Sequence, residues 1–268
     1  DLVLTGEWMP LTVLKNTEGR FADHTKKLSW DNTAGWWFSI DAADLDKDGD
    51  LDIVAGNLGL NYKYQASEEA TFDIYFHDFD KNSSPDIVLG YYNEGTQFPV
   101  RGRQCSSEQI PTIKVVFEDY HSFANATLKD IYGAGLEEGL HYSISSFASV
   151  YLENQGKGNY KTTALPELAQ LSSVDDMIIH DFNGDGNPDI VLAGNLYASE
   201  VETPRCDAGI GLVLAGDGNG GFEPIPYTKT GLLLDKDVQA LQLIMIEGKP
   251  HLLVANNQGP LQVFGFSD

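Results

Sequence analysis

Asp44-Leu45-Asp46-Lys47-Asp48-Gly49-Asp50-Leu51-Asp52 places an acid at every odd position of a nine-residue stretch. Side chains at positions 1, 3, 5 and 9 of such a loop can converge on one point, while position 7 offers its backbone carbonyl. The donor set is oxygen only, which suits a hard divalent cation taking six to eight oxygens, above all calcium; the lack of nearby His or Cys argues against zinc. Gly49 at position 6 supplies the left-handed turn that lets the chain wrap an ion. An EF-hand shares the Asp-x-Asp-x-Asp-Gly start but needs flanking helices and a Glu at position 12. Here residues 37–43 (Trp-Phe-Ser-Ile-Asp-Ala-Ala) lead in and residues 53–57 (Ile-Val-Ala-Gly-Asn) lead out. Both are β-type, so the unit is a hairpin whose turn carries the acids.

The same pattern recurs. Residues 78–86 and 181–189 are acidic loops preceded by β-type runs and followed by Ile-Val strands. The third loop, with Asp181, Asn183, Asp185, Gly186, Asn187 and Asp189, keeps the glycine and loses a charge at position 3, so weaker binding is expected. The middle loop, with Asp78, Asp80, Asn82, Ser84 and Asp86, has Ser83 in place of the glycine, which makes its turn costlier. The predicted metal residues are therefore Asp44, Asp46, Asp48, Asp50 and Asp52, with the equivalent residues of the other two loops. Turn chemistry alone explains one such loop; three in register point to a shared ion site. Asp1-Leu-Val-Leu-Thr-Gly and residues 251–256 match only the strand that follows a loop. On this alignment Asp1 is the ninth residue of a loop, and residues 243–251 have lost the ligands, with Glu247-Gly248 as a plain turn. Aligned strands start at 1, 52, 86, 189 and 251, five repeat equivalents.

A second recurring piece is a strand, a Gly/Asn turn and an aromatic opening the next strand, at residues 12–21, 150–160 and 212–222. An acidic hairpin followed by this glycine-turn hairpin makes four antiparallel strands, the unit of a propeller blade. The expected fold is all-β, a β-propeller of about five four-stranded blade equivalents, spanning residues 1–268 as one domain or as a propeller fragment. The copy at 52 lacks a clear outer pair, because residues 58–71 read as loop. Residues 101–145 read as a helical insertion, with Ser106 and Gln109 as a capping box and a further helix over 122–132 stopped by Gly133.

Composition narrows the functional classes. Seventeen Lys and Arg against forty Asp and Glu give a net charge of −23, which argues against nucleic acid as a partner. No apolar run reaches the eighteen residues of a transmembrane span in this segment. Cys105 and Cys206 are compatible with one disulfide or with two buried thiols. The chain carries no nucleophile elbow, zinc-helix motif, P-loop or dinucleotide fingerprint. His77 and His180 precede the first Asp of their loops, where packing is the expected role. Trp30, Trp36, Trp37, Tyr62, Tyr64, Tyr91 and Tyr92 lie beside the repeats, either as stacking platforms for a ligand or as core between blades.

These loops and strands resemble the FG-GAP/VCBS repeat family, the calcium-loop propeller repeats of integrin α-subunits and of many large secreted or surface-attached bacterial proteins. Gly35-Trp36-Trp37-Phe38-Ser39, residues 56–61, 102–111 and 199–209 look like the C-terminal repeat region of large bacterial VCBS proteins. The resemblance implies calcium as the bound ion and a non-enzymatic module of a larger exported protein, with a glycan or protein ligand at the cell surface. The alternative is a carbohydrate-active enzyme, a hydrolase or lyase using a carboxylate pair on a propeller scaffold.

Overall fold

The computed structural model describes residues 1–199 and 203–266, and the chain in it is mostly β. It divides into two compact units, residues 1–63 with 147–268, and Tyr64–Ser146. Among the described residues no helix is long and apolar enough to cross a membrane.

The first unit holds four larger antiparallel sheets in chain order, beside the two-stranded pairing of Glu7–Met9 with Gly35–Trp36. Leu2–Leu4, Thr12–Thr17 and Arg20–Asp23 form a three-stranded sheet. Ser39–Ala43, Asp52–Gly56, Val150–Asn154 and Tyr160–Ala164 form the second, in that spatial order. The third is Asp176–His180, Asp189–Ala193, Leu212–Gly216 and Phe222–Ile225. The fourth has Val238–Ile246, Lys249–Asn256 and Gln262–Gly265. Strands neighbouring in each of these sheets follow one another in the chain order given, and every glycine-turn hairpin expected from sequence forms. Glu247 and Gly248, both at positive φ (52° and 80°), make the tight turn between Val238–Ile246 and Lys249–Asn256, where the metal-type loop is missing.

The apolar runs after the loops are explained by burial on both faces. Ile53 and Ala55 point to a core with Leu11, Val13, Trp30 and Trp37, whereas Val54 points to one with Met177, Ile190, Leu192 and Leu214. In the third sheet Val191 and Ala193 turn to a further core with Val238, Leu252 and Val254. Period-2 alternation along each central strand therefore feeds two different cores, and successive sheets pack face on face. The first strands of neighbouring sheets are also stitched together. Ser39 Oγ donates to the Val174 carbonyl at 2.7 Å, and Leu241 N donates to Asp176 Oδ2 at 2.6 Å. Gly56 and Gly194, the small residues closing the strand motif, sit where a Cβ would strike Ser39 Oγ and the Val174 carbonyl, or the Ser173 carbonyl.

The second unit is inserted between the second and third strands of the second sheet. This corrects the expectation that the copy at 52 lacks an outer pair. Its outer pair is the hairpin at 150–164, separated from Gly56 by the whole inserted unit, so no local pattern near residue 58 could reveal it. The inserted sheet has the order Thr96–Pro99, Asp86–Asn93, Phe72–His77, Leu140–Ile144. Here a strand from beyond the helices pairs with the strand that leads into the acidic loop, unlike the other four-stranded sheets. Tyr75 and Val88 on one face pack against Leu128 and Leu136.

The helices also differ in detail from the sequence reading. The first spans Arg103–Gln109 with Gly102 as N-cap, so Ser106 lies inside it and caps nothing. The expected helix over 122–132 is two, Tyr120–Ala124 capped by Asp119 and Leu128–Tyr132 capped by Thr127. Thr127 and Asp130 form the reciprocal capping box, and Gly133 ends the helix at φ 58°. Cys105 is half-buried and Cys206 buried, and they do not form a disulfide with each other. Of the stretch at 199–209, residues 200–202 lie outside the described residues.

Candidate metal centre

Each acidic loop is organised by one hydrogen-bond frame, repeated position for position. The N–H at position 2 donates to the carboxylate at position 9: Leu45 to Asp52 (3.0 Å), Phe79 to Asp86 (3.1 Å) and Phe182 to Asp189 (3.0 Å). The N–H at position 6 donates to position 1: Gly49 to Asp44 (3.2 Å), Ser83 to Asp78 (2.8 Å) and Gly186 to Asp181 (2.9 Å). Position 5 donates to position 3 in the pairs Asp48–Asp46, Asn82–Asp80 and Asp185–Asn183. Position 7 donates to position 5 in the pairs Asp50–Asp48, Ser84–Asn82 and Asn187–Asp185. Backbone N–H groups thus turn the side chains at 1, 3 and 5 inward, which is why Asp and Asn recur there.

The arrangement brings oxygens together. Carboxylate oxygens of Asp44, Asp46 and Asp48 lie within 4.8 Å of one another, as do those of Asp78, Asp80 and Asp86. Asp44 Oδ1 and Asp50 Oδ1 are buried and accept no hydrogen bond. Loss of water, then the neighbouring carboxylates, push Asp46 and Asp50 above the usual carboxylate range. Inward oxygens without donors, crowded by like charge, fit a divalent cation and leave an acceptor-only cluster poorly satisfied without one. The third loop substitutes Asn183 and supplies fewer charges. There the Asn187 N–H foremost, and Lys47 further out, hold Asp185 below the usual range.

Position 9 has a second task. Asp52 is fully buried, and besides Leu45 N it accepts from Tyr151 Oη (3.0 Å) and Asn154 N (2.8 Å), tying the loop to the third strand of its sheet. Asp189 does the same through Gly216 N at 3.0 Å. Burial, and after it the Asp52 carboxylate, holds the Tyr151 phenol well above its ordinary value. Sequence reading missed Tyr151 and Asn154, because neither is near the loop in the chain.

Backbone strain separates the loops. Position 4 is left-handed in all three (Lys47 φ 63°, Lys81 60°, Gly184 74°), and so is position 6 (Gly49 99°, Ser83 72°, Gly186 86°). The second loop alone carries side chains at both left-handed positions without a glycine. Ser83→Gly is expected to stabilise the protein by about 1 kcal/mol, the cost of one non-glycine residue in that region. Urea denaturation measures it, and an unchanged midpoint would contradict the strain at Ser83.

The other candidates resolve as packing. His77 sits edge-on to Phe79 at 5.3 Å and 78°, and His180 to Phe182 at 5.2 Å and 78°, the same contact in two hairpins. Trp30, Trp37 and Tyr64 are buried, while Trp36, Tyr62, Tyr91 and Tyr92 are half-buried. Trp36 and Tyr62 pack with Phe147, and Tyr91 packs with Tyr64. One polar cluster was not foreseen. Buried Asp73 faces His141 Nε2 at 2.8 Å and accepts from Ser143 Oγ at 2.6 Å and Gln97 Nε2 at 2.7 Å. Because the same imidazole nitrogen faces both Asp73 and Ser143 (3.2 Å), the ring cannot pass a proton between them as in a nucleophile triad.

Among known families, the model described as an FG-GAP-like repeat matches residues 1–55, which cover the first sheet and the first acidic loop with most of its following strand. No curated protein matches the chain.

Proposed function

We propose that the chain is a calcium-stabilised array of propeller blades, acting without catalysis as a recognition, adhesion or scaffold module of an exported cell-surface protein. The carrying observation is the loop frame. Three loops, two in the first unit and one in the second, are built on the same four hydrogen bonds, two of them bring three carboxylates within 4.8 Å of one another, and the first leaves Asp44 Oδ1 and Asp50 Oδ1 buried with no donor. Asp44, Asp46, Asp48 and Asp52 would hold the ion with the carbonyl of position 7. The ion would neutralise the clustered carboxylates and lock each hairpin turn. Stacking of the sheets through alternating faces, with their first strands neighbouring, supports the blade reading. The FG-GAP-like match over residues 1–55 supports calcium and an extracellular setting, where weak oxygen sites fill. Burial and ring contacts favour a packing role for Trp30, Trp36, Trp37, Tyr62, Tyr64 and Tyr91, so a glycan or protein ligand would be met elsewhere on the surface.

Isothermal titration with calcium tests this reading. Binding is expected, tightest at residues 44–52 and lost from that site in the Asp44→Asn/Asp46→Asn variant. No calcium binding at millimolar concentration would overturn it. Glycan and peptide arrays, run beside glycoside hydrolase and lyase assays, separate a binding module from an enzyme; turnover would overturn the non-catalytic part.

A further inference from the structure

Lys47 belongs to the first acidic loop, yet its ammonium serves the third. Lys47 Nζ donates to Asn187 Oδ1 at 2.5 Å, across from one sheet to the next. The exposed contact lies against the Gly218 turn: a Cβ there would meet Asn187 Oδ1 at 2.5 Å and Lys47 Cε at 3.3 Å, so a glycine leaves room for the pair. The lysine occupies position 4 in the left-handed region, where the third loop itself has Gly184 and no side chain. The third loop carries three carboxylates against five in the first, since Asn183 and Asn187 stand where the first loop has Asp46 and Asp50.

We infer that Lys47 is a tethered counter-cation for the third loop and sets how strongly that loop takes a divalent cation. This rests on the calcium reading of the loops. A fixed positive charge beside the site opposes an incoming cation by Coulomb repulsion, reduced but not abolished by water and salt at this distance. In the metal-free protein the same charge offsets the loop's acids and joins two neighbouring turns. Lys47 therefore stabilises the ion-free state and weakens the ion-bound one, and the two loops are coupled through one side chain.

The test is calcium titration of the full chain in which Asp44→Asn/Asp46→Asn and Asp78→Asn/Asp80→Asn silence the other loops. Lys47→Met should tighten calcium at the third loop by about three- to ten-fold, while Lys47→Arg, which keeps the charge, stays within about two-fold of the parent. A Met variant binding like the parent overturns the inference and leaves the calcium reading standing. Failure of wild-type and all variants to bind calcium overturns both. If the silenced chain does not fold, Lys47→Met in the otherwise wild-type chain decides. Its melting midpoint should fall in chelator, and calcium should shrink or reverse that deficit. An unchanged midpoint in chelator overturns the inference.

Discussion

Asp52→Ala is expected to destabilise the protein by at least about 3 kcal/mol even in chelator, and by more in calcium. The reason is the position of this carboxylate, fully buried and accepting from Leu45 N, Tyr151 Oη and Asn154 N. Removing one acceptor leaves three donors without a partner. A stranded buried donor costs about 1–3 kcal/mol, more than the net gain of making its bond. Asp52→Asn keeps one acceptor oxygen and should fall between. Asp48→Asn, by contrast, should lose stability mainly when calcium is present, because Asp48 belongs to the converging cluster and not to the strand tie. Equilibrium urea denaturation of the three variants, each with calcium and with chelator, checks this ordering. An Asp52→Ala protein within about 1 kcal/mol of wild type would show that the strand tie carries little.

A second large effect is expected at Asp175, where burial pushes the carboxyl from 3.8 to about 6. Its Oδ1 is buried with no donor, and Oδ2 receives the Asn195 N–H at 3.3 Å. A carboxyl raised in the folded state binds its proton more tightly there than in the unfolded chain. Its contribution to stability is therefore complete below about pH 4 and is lost as the pH rises through 6. A shift of about two units corresponds to roughly 3 kcal/mol between those limits. Asp175→Asn removes this dependence. The variant should match wild type near pH 4 and exceed it by roughly 1–2 kcal/mol at pH 7.5, the remainder being lost because its amide is itself buried. Groups lowered by hydrogen bonds, such as Asp119 and Asp130, drive the opposite trend in both proteins, so the difference between them isolates Asp175. A difference that stays flat from pH 4 to 8 would contradict it.

What could be read from sequence divides by distance along the chain. The loop frame was legible because every bond in it joins residues at most seven apart, so the spacing of Asp, Asn and Gly encodes it. The glycine-turn hairpins were legible for the same reason. The nesting of the second unit was not, since Asp52–Gly56 finds its neighbour at Val150–Asn154, and strand pairing over such a gap leaves no local signal. The second task of Asp52 and Asp189 was hidden likewise, because position 9 reads as one more ligand until Tyr151, Asn154 and Gly216 are brought to it. At Ser83 local reading and structure agree: the chain keeps the left-handed turn and carries a side chain there.

The central claim is that the acidic loops hold these hairpins together by binding calcium. Thermal melting of wild type in calcium and in chelator tests it most directly, with the Asp44→Asn/Asp46→Asn/Asp48→Asn variant beside it. The account predicts a midpoint several degrees higher in calcium for wild type and a clearly smaller calcium shift for the variant. Identical wild-type midpoints in calcium and chelator would contradict it.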